Sequence, residues 1–136
     1  MTIAEVSKQY GISADTLRYY ERIGLIPPVR RNASGIRDYD EASCNWVNFI
    51  KCMRSAGIPI ESLIEYVRLF ALGRQTVPAR MAILLEERKN LADRIAQMQE
   101  VLSRLDYKIS RYDEILLQKE ESLAQSISGQ EQGESA

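Results

Sequence analysis

The spacing of apolar residues divides the chain into four short helices followed by one long amphipathic helix. Residues 3–10, 13–23, 41–56 and 59–72 place apolar side chains at helical intervals, with glycine or proline close to their boundaries. From residue 76 onward, the apolar residues follow a longer and more regular repeat. The pattern predicts a mainly α fold.

Capping residues support the starts of these helices. Thr2 and Glu5 have the spacing of a capping box, and Ser13 and Asp40 precede the second and third apolar patterns. The first two helices are separated by a short break, which is the spacing of a helix-turn-helix. Residues 29–39, which follow two prolines, predict a short hairpin.

The last long helix carries a heptad repeat. Ile95, Leu102, Ile109 and Leu116 occupy its a positions, and Leu91, Met98, Leu105 and Tyr112 occupy its d positions. Four such heptads indicate a coiled coil. The stretch 84–116 is roughly 48 Å long at about 1.5 Å per residue, and no other helix of the chain is long enough to cover it. The stripe therefore predicts a homodimer.

Residues 16–39 concentrate guanidinium groups beside tyrosine hydroxyls. In a chain whose net charge is −1, this segment carries Arg18, Arg22, Arg30, Arg31 and Arg37. Such groups on a helix and a hairpin suit contact with DNA phosphates and grooves. Tyr20 falls near the apolar side of its helix, so Tyr19 is the better candidate for a phosphate contact. The segment predicts a DNA-binding surface, although the overall pI of 5.6 is low for such a protein.

Composition argues against several other functions. The 136 residues include no histidine, so the usual Cys–His catalytic pair is unavailable, and no Gly-rich phosphate loop is present. No apolar run approaches the roughly 18 residues of a membrane helix, and no signal peptide opens the chain. We therefore expect a cytoplasmic protein that is not an enzyme, has no cofactor and does not contact a membrane.

The two cysteines, Cys44 and Cys52, both lie in the predicted third helix. Their spacing along a helix is roughly 12 Å, beyond the roughly 7 Å that a disulfide can bridge. On a helical wheel centred on Trp46, Cys52 falls at the border of the apolar face and Cys44 lies nearly opposite. The wheel therefore predicts an exposed Cys44. A cysteine at such a border is most often a small buried hydrophobe, and reactivity requires both thiolate stabilisation and access.

The run TLRYYERIGLIPP, residues 16–28, together with Arg37-Asp38-Tyr39, resembles the DNA-binding pattern of the MerR family of bacterial transcription regulators. The resemblance implies a winged helix-turn-helix domain over residues 1–72 and an antiparallel coiled-coil dimerisation helix over 76–120. Ile at a and Leu at d would favour a parallel pair, so the antiparallel arrangement rests on the family alone. The composition of residues 126–136 predicts a disordered tail.

Matching positions imply the DNA contacts and partners of this chain. The DNA-binding residues are Ser13, Thr16, Arg18, Tyr19, Arg22, Arg37, Tyr39 and Arg54. The family binds double-stranded promoter DNA as an inverted repeat. Its activated form bends and untwists promoters whose two recognition elements are spaced too widely, so that RNA polymerase can use both. The implied location is the bacterial nucleoid when the protein is bound to DNA.

Departures from better-known members point to an effector. Metal-responsive members carry cysteines around the ends of the dimer helix, but residues 76–82 and 116–136 hold neither Cys nor His, so no metal site is expected. Little chain follows the coil, so we expect no large ligand-binding domain of the multidrug-responsive kind. The run FIKCMRSAG, residues 49–57, resembles the small aldehyde-responsive subgroup, which carries a single cysteine in its third helix. This resemblance implies Cys52 as the sensor.

The sequence thus predicts a homodimeric MerR-type regulator that responds to aldehydes or other thiol-reactive electrophiles through Cys52. Sensing of thiol oxidation at the same residue, or of a non-covalent ligand, stays open. A coiled-coil adaptor without regulatory DNA binding is an alternative of another class, and the set of arginines argues against it.

Overall fold

A computed structural model describes the backbone of residues 1–135 and the side chains of residues 1–127. Its elements in chain order are α1 (Ile3–Tyr10), α2 (Ala14–Ile23), α3 (Glu41–Ser55), α4 (Ile60–Leu72), a 3-10 helix (Arg74–Thr76) and α5 (Val77–Ser135). The described residues form no regular strand, and one isolated antiparallel bridge joins Arg31 to Arg37. The mainly α fold class is confirmed.

Local sequence signals explain where the short helices begin and end. Thr2 and Glu5 form the capping box that opens α1. The side chains of Ser13 and Asp40 accept hydrogen bonds from backbone N–H groups in the first turns of α2 and α3. Gly24 ends α2 with a φ of 83°, a conformation that glycine adopts without strain.

Residues Met1–Leu91 form a compact unit with one hydrophobic core. The core packs α1, α2, α3 and the start of α4 together with the segment between α2 and α3. Its members are Val6, Ile12, Leu17, Leu25, Ile26, Val29, Tyr39, Cys44, Val47, Ile50, Ile58 and Leu63. The burial of these apolar side chains away from water is the main contribution to the stability of the unit.

An aromatic cluster joins α3 to α4 on a second side of α3. The ring of Trp46 lies 6.0 Å from that of Phe49, 6.0 Å from that of Tyr66 and 5.0 Å from that of Phe70. All three pairs are edge-to-face, the arrangement that aromatic quadrupoles favour. Helix α3 is therefore packed on two faces, by the hydrophobic core and by the aromatic cluster.

The second unit, Ala92–Ala136, consists of α5 over its described residues. The apolar side chains at its a and d positions from Ile95 to Leu116 are 47–68% exposed in the single chain. Such a stripe is typical of a helix that packs against another helix. No helix among the described residues is both long and apolar enough to span a membrane.

Helix α5 runs past residue 120, where the coil is predicted to end. Its backbone is helical through Ser135, which includes most of the predicted disordered tail, residues 126–136. The segment has no proline after Pro78 and is rich in Glu, Gln, Leu and Ala, so local sequence allows the helix to continue. Ala136 and the side chains of 128–136 lie outside the described residues. The three-part division of the chain stays a prediction.

Candidate DNA-binding surface and sensor cysteine

Helix α2 presents a basic and aromatic surface because its apolar side faces the core. Leu17 is fully buried, whereas Arg18, Tyr19 and Arg22 are exposed. The Arg22 guanidinium lies 5.4 Å from the centre of the Tyr19 ring, so the two side chains are ordered together by a cation–π contact. These three residues are available for the DNA contacts that the sequence predicts.

The two polar residues at the start of α2 serve the helix itself. Ser13 Oγ accepts the Thr16 backbone N–H at 3.1 Å and lies 2.8 Å from the Thr16 hydroxyl. Arg18 Nη1 donates to Asp15 at 2.8 Å on the exposed surface. The N-terminus of a helix also attracts anions through its free N–H groups, which suits a DNA phosphate. The predicted roles of Ser13 and Thr16 in DNA binding therefore stay predictions.

The segment between α2 and α3, which we call the wing (residues 29–39), folds back on itself. Asn32 Oδ1 accepts the N–H groups of Ser34 and Ile36 at 2.9 and 3.0 Å, which closes the tip. The Asp38 N–H donates to the Arg30 carbonyl at 2.7 Å. The predicted hairpin is thus present as a short turn with a single bridge.

Asp38 anchors the base of the wing. Its carboxylate accepts hydrogen bonds from Arg30 Nη2 at 2.8 Å and from the N-terminal ammonium at 3.1 Å. Hydrogen bonding to Arg30 and the nearby ammonium hold the pKa of Asp38 below its ordinary value. Arg30 is therefore committed in part to the fold, although it belongs to the basic segment.

Glu21 ties the wing to α2, and this contact was not anticipated from the sequence. Its Oε1 accepts Arg37 Nε at 2.6 Å, and its Oε2 accepts the Val29 backbone N–H at 2.9 Å. Residues 16–39 hold only two acids, Glu21 and Asp38, against five arginines. Their rarity in so basic a segment was the signal that each has a specific partner.

The predicted set of DNA contacts includes Tyr39, which the structure places in the core. It is only 1% exposed, and its hydroxyl is buried without a hydrogen-bond partner among the described residues. Its backbone is paired with Met1, and burial raises the pKa of its phenol. The structure does not support direct contact between Tyr39 and DNA, because its ring fills the core behind the wing.

Arg54 lies at the end of α3 and is partly buried. Its Nη1 donates to the Ile58 carbonyl at 2.6 Å, across the turn that leads into α4. This bond satisfies a backbone carbonyl of the turn and fixes the turn. A contact of Arg54 with the DNA backbone, as predicted, would have to use the rest of its guanidinium.

The structure buries Cys44, which the helical wheel predicts to be exposed, and exposes Cys52, which the wheel places at the border of the apolar face. Cys44 is 7% exposed and lies 3.9 Å, sulfur to sulfur, from Met1, whereas Cys52 is exposed; both are free thiols. The wheel centred on Trp46 considered only the aromatic face of α3. Cys44 and Val47 share the other buried face, and Cys52 lies roughly 140° from Val47 at about 100° per residue.

The structure brings most of the predicted DNA-contacting residues together on α2 and the wing, but not all of them. Arg18, Tyr19 and Arg22 share α2, and Arg37 joins them through Glu21. Arg54 and Cys52 lie on α3. No group of three or more Cys, Asp or Glu residues suited to a metal ion occurs among the described residues. The arrangement offers cationic donors for an anionic polymer and one accessible thiol.

Comparison with known proteins places the chain in a family. Residues 1–69 match the family described as MerR HTH family regulatory protein, and residues 45–107 match the one described as MerR, DNA binding. The HTH-type transcriptional regulator AdhR of Bacillus subtilis (strain 168) is 61% identical over 93 residues, which cover 68% of this chain and 66% of that protein. The alignment thus spans slightly less than two thirds of that relative.

Two solved structures have the same fold. A MerR family transcriptional regulator from Listeria monocytogenes matches with a TM-score of 0.86 and 49% identity, over 90% of this chain and 93% of that one. HiNmlR, a MerR family regulator lacking the sensor domain and bound to promoter DNA, matches with a TM-score of 0.75 and 28% identity, over 83% and 90%. The chain belongs to the MerR family of helix-turn-helix proteins and is a DNA-binding transcription regulator, not an enzyme.

Proposed function

We propose that this regulator binds an inverted repeat in a promoter as a homodimer. It bends and untwists the promoter DNA so that RNA polymerase can use it. Arg18, Tyr19 and Arg22 of α2 would enter or flank the groove, and Arg37 of the wing would contact phosphate. Support comes from the exposure of these α2 side chains and from the solved relative that is bound to promoter DNA. Because the target is promoter DNA, we place the protein in the bacterial cytoplasm.

Dimerisation would use the stripe on α5. Its a and d side chains are exposed in the single chain, and a second copy supplies a stripe of the same kind. Two DNA-binding units joined in this way can hold adjacent half-sites. Bending a short DNA site costs on the order of 1–6 kcal/mol, so a stable connection between the two DNA-binding units is required.

We further propose that Cys52 senses reactive aldehydes. The observation that carries this proposal is its exposure as a free thiol on α3, a helix whose other faces pack into the DNA-binding unit. The buried Cys44 is not accessible in the same way. The resemblance of residues 49–57 to the aldehyde-responsive subgroup agrees with this choice of thiol.

The chemistry requires no cofactor or oxidant. The Cys52 sulfur attacks the carbonyl carbon; a C–S bond forms as the π bond of the C=O group breaks, and the carbonyl oxygen takes the electron pair and the proton that the thiol gives up. The product is a hemithioacetal, and its formation is reversible. The adduct can bias the position of α3 only by the difference in its free energy between two arrangements; a shift from 1:99 to 99:1 requires about 5.5 kcal/mol.

The first test is DNA binding by the full chain. A labelled duplex from upstream of its own gene should be retarded in a gel shift, with an affinity that falls steeply as salt rises. Absence of salt-sensitive binding at physiological ionic strength would contradict the DNA-binding part of the proposal.

The second test compares the two thiols in a promoter reporter. The Cys52→Ala variant should bind DNA as the wild type does but lose induction by formaldehyde or methylglyoxal. The Cys44→Ala variant should keep induction. The reverse pattern would show that Cys44, and not Cys52, is the sensor. Induction in both single variants and in the double variant would exclude thiol addition.

Oxidation of Cys52 is the second candidate, because an accessible thiol can also react with peroxide. Intact-mass measurement separates the two reactions. A sulfenic acid adds one oxygen atom and is removed by a thiol reductant, whereas a hemithioacetal adds the mass of the aldehyde. Induction by peroxide but not by aldehyde would favour oxidation, and induction that leaves the mass unchanged would favour a non-covalent ligand.

A further inference from the structure

Glu21 stands out as an acid within the segment that is proposed to face DNA. Its side chain is 16% exposed, and both of its carboxylate oxygens are engaged, one by Arg37 and one by the Val29 N–H. A carboxylate so close to a DNA-binding surface should repel phosphate. Its presence therefore calls for a contribution that outweighs this repulsion.

The carboxylate is held in its charged form. Burial alone would raise the pKa of Glu21, but the hydrogen bonds from Arg37 and the Val29 N–H, together with the charges of Arg37 and Arg31, keep that pKa below its ordinary value of 4.5. Charged hydrogen bonds of this kind are stronger and more directional than neutral ones. The pair can thus fix the orientation of a guanidinium group.

Arg37 is the group whose orientation is fixed. Its side chain is 23% exposed, and its Nε points to Glu21. Among the described residues, its two Nη groups have no protein acceptor. The planar guanidinium carries five N–H donors on separate edges, so one edge can remain on Glu21 while the other binds a phosphate.

We propose that Glu21 is a positioning residue for DNA binding: it locks the wing to α2 and holds Arg37 with its Nη edge directed at a phosphate. The inference rests on the proposed contact between Arg37 and DNA. Val29 begins the wing and Arg37 lies in its returning half, so the one carboxylate of Glu21 connects both halves of the wing to α2. Helix and wing then bind DNA as a single preorganised element, which lowers the entropy lost on binding.

The test uses the full chain and the labelled upstream duplex, with affinity measured by fluorescence anisotropy at several KCl concentrations. We expect Glu21→Ala to weaken binding by about tenfold or more, the effect of losing one charged hydrogen bond. The slope of log affinity against log salt should become shallower by about one unit for each DNA phosphate that the variant no longer binds, or about two for the dimer.

Asp15→Ala is the matched control. Asp15 is also an acid on α2 that is paired with an arginine, Arg18, but its side chain is 96% exposed and this ion pair lies within α2. Removing it should leave affinity unchanged or make it tighter. If Glu21→Ala likewise tightens binding, Glu21 acts only as a negative charge and the positioning role is wrong.

A double mutant separates positioning from other effects. If Glu21 acts through Arg37, the Glu21→Ala change should cost less affinity in the Arg37→Ala background than in the wild type, because only the contact with the Val29 N–H is then left to lose. Additive losses would show that Glu21 acts by another route. If Arg37→Ala itself leaves affinity and salt slope unchanged, the proposed phosphate contact fails; if only Arg37→Ala weakens binding, the phosphate contact stands and positioning fails.

Arg37→Lys gives a second route if Glu21→Ala does not fold. A lysine keeps the charge and can pair with Glu21, but its single ammonium has no second edge to offer the phosphate. We expect it to lose most of the affinity that Arg37→Ala loses. Wild-type affinity in Arg37→Lys would overturn the proposal.

Discussion

The two units of the chain differ in how completely they satisfy their own apolar surface. In residues 1–91, a closed core buries Leu17, Val47 and Ile50 entirely, and one ion pair and one backbone hydrogen bond tie the wing to α2. In the second unit, the a and d side chains of α5 remain about half exposed. The first unit can therefore be stable by itself, whereas the second gains its stability from association. Disruption of each should have different, separable consequences.

The largest effect should come from a charge placed in the coil stripe. Leu102 lies at a predicted a position and is exposed in the single chain. Leu102→Lys would bury two ammonium groups in the seam of a dimer, at a cost of several kcal/mol, on the order of the penalty for an unpaired buried charge. We expect a monomer by analytical ultracentrifugation and a loss of DNA affinity of about 100-fold or more, because the second grip is lost.

Ser103→Lys is the control for this change, because it adds the same charge one residue away, outside the a and d positions. It should remain dimeric and bind DNA normally. A dimeric Leu102→Lys protein would mean that the heptad assignment is wrong. A monomer that keeps full affinity would separate DNA binding from dimerisation.

Truncations of leucine in the two units should differ in their dependence on protein concentration. Leu17→Ala removes a fully buried side chain and should lower the free energy of unfolding by about 2–5 kcal/mol. Leu102→Ala should act mainly through the dimer, so its loss of stability should shrink as the protein is diluted below the dissociation constant of the wild-type dimer, where both proteins become monomers. Urea unfolding at two concentrations a hundredfold apart tests this. The same concentration dependence of the loss for both variants would remove the distinction between the units.

Local signals in the sequence were enough to predict the helices. Ser13, Asp40 and Gly24 define ends through contacts within a few residues, and the structure places them as predicted. The end of α5 could not be predicted in this way, because no capping signal or proline marks it. Composition alone indicated a tail over residues 126–136, and the division of the chain at that point stays a prediction.

The site could be predicted only in part. The errors in that prediction arise from contacts between residues that are distant in the sequence. Arg18, Tyr19 and Arg22, the predicted DNA contacts of α2, are exposed in the structure, and their contact with DNA stays a prediction. Tyr39 was assigned with them, yet it is held in the core by packing that no local pattern reports. The pairing of Glu21 with Arg37 spans sixteen positions and depends on how the wing folds back.

The two cysteines test the same limitation, with a smaller effect on stability. A helical wheel with a single centre could not describe α3, which is buried on two faces. Cys44→Ser would place a hydroxyl in the core and should cost about 1–3 kcal/mol. Cys52→Ser is on the surface and should change stability by less than about 0.5 kcal/mol. Equal losses in urea unfolding would contradict the assigned environments.

The smallest effect concerns the acid sensitivity of the first unit. Despite its burial, the Glu21 carboxyl has its pKa held below 4.5 in the folded chain by Arg37 and the Val29 N–H. A lowered folded pKa stabilises the protein above the unfolded value, and this contribution is lost as pH falls from about 4.5 through the folded pKa. Two other carboxyl groups of the first unit also have lowered pKa values. The pKa of Asp38 is lowered by a hydrogen bond from Arg30, and the pKa of Asp40 by a hydrogen bond from the Ser43 N–H.

Glu21→Gln removes the titrating group while it keeps the size of the side chain. Its stability at fixed protein concentration should be lower than that of the wild type at pH 7, and the difference should narrow as the pH falls below about 4.5. Urea unfolding at a series of pH values, followed by the fluorescence of Trp46 in the first unit, measures this. Parallel curves for the two proteins would show that the contact between wing and helix does not contribute to acid sensitivity. Because Glu21 belongs to the wing contact and not to the coil, a converging pair of curves would assign this loss to the first unit.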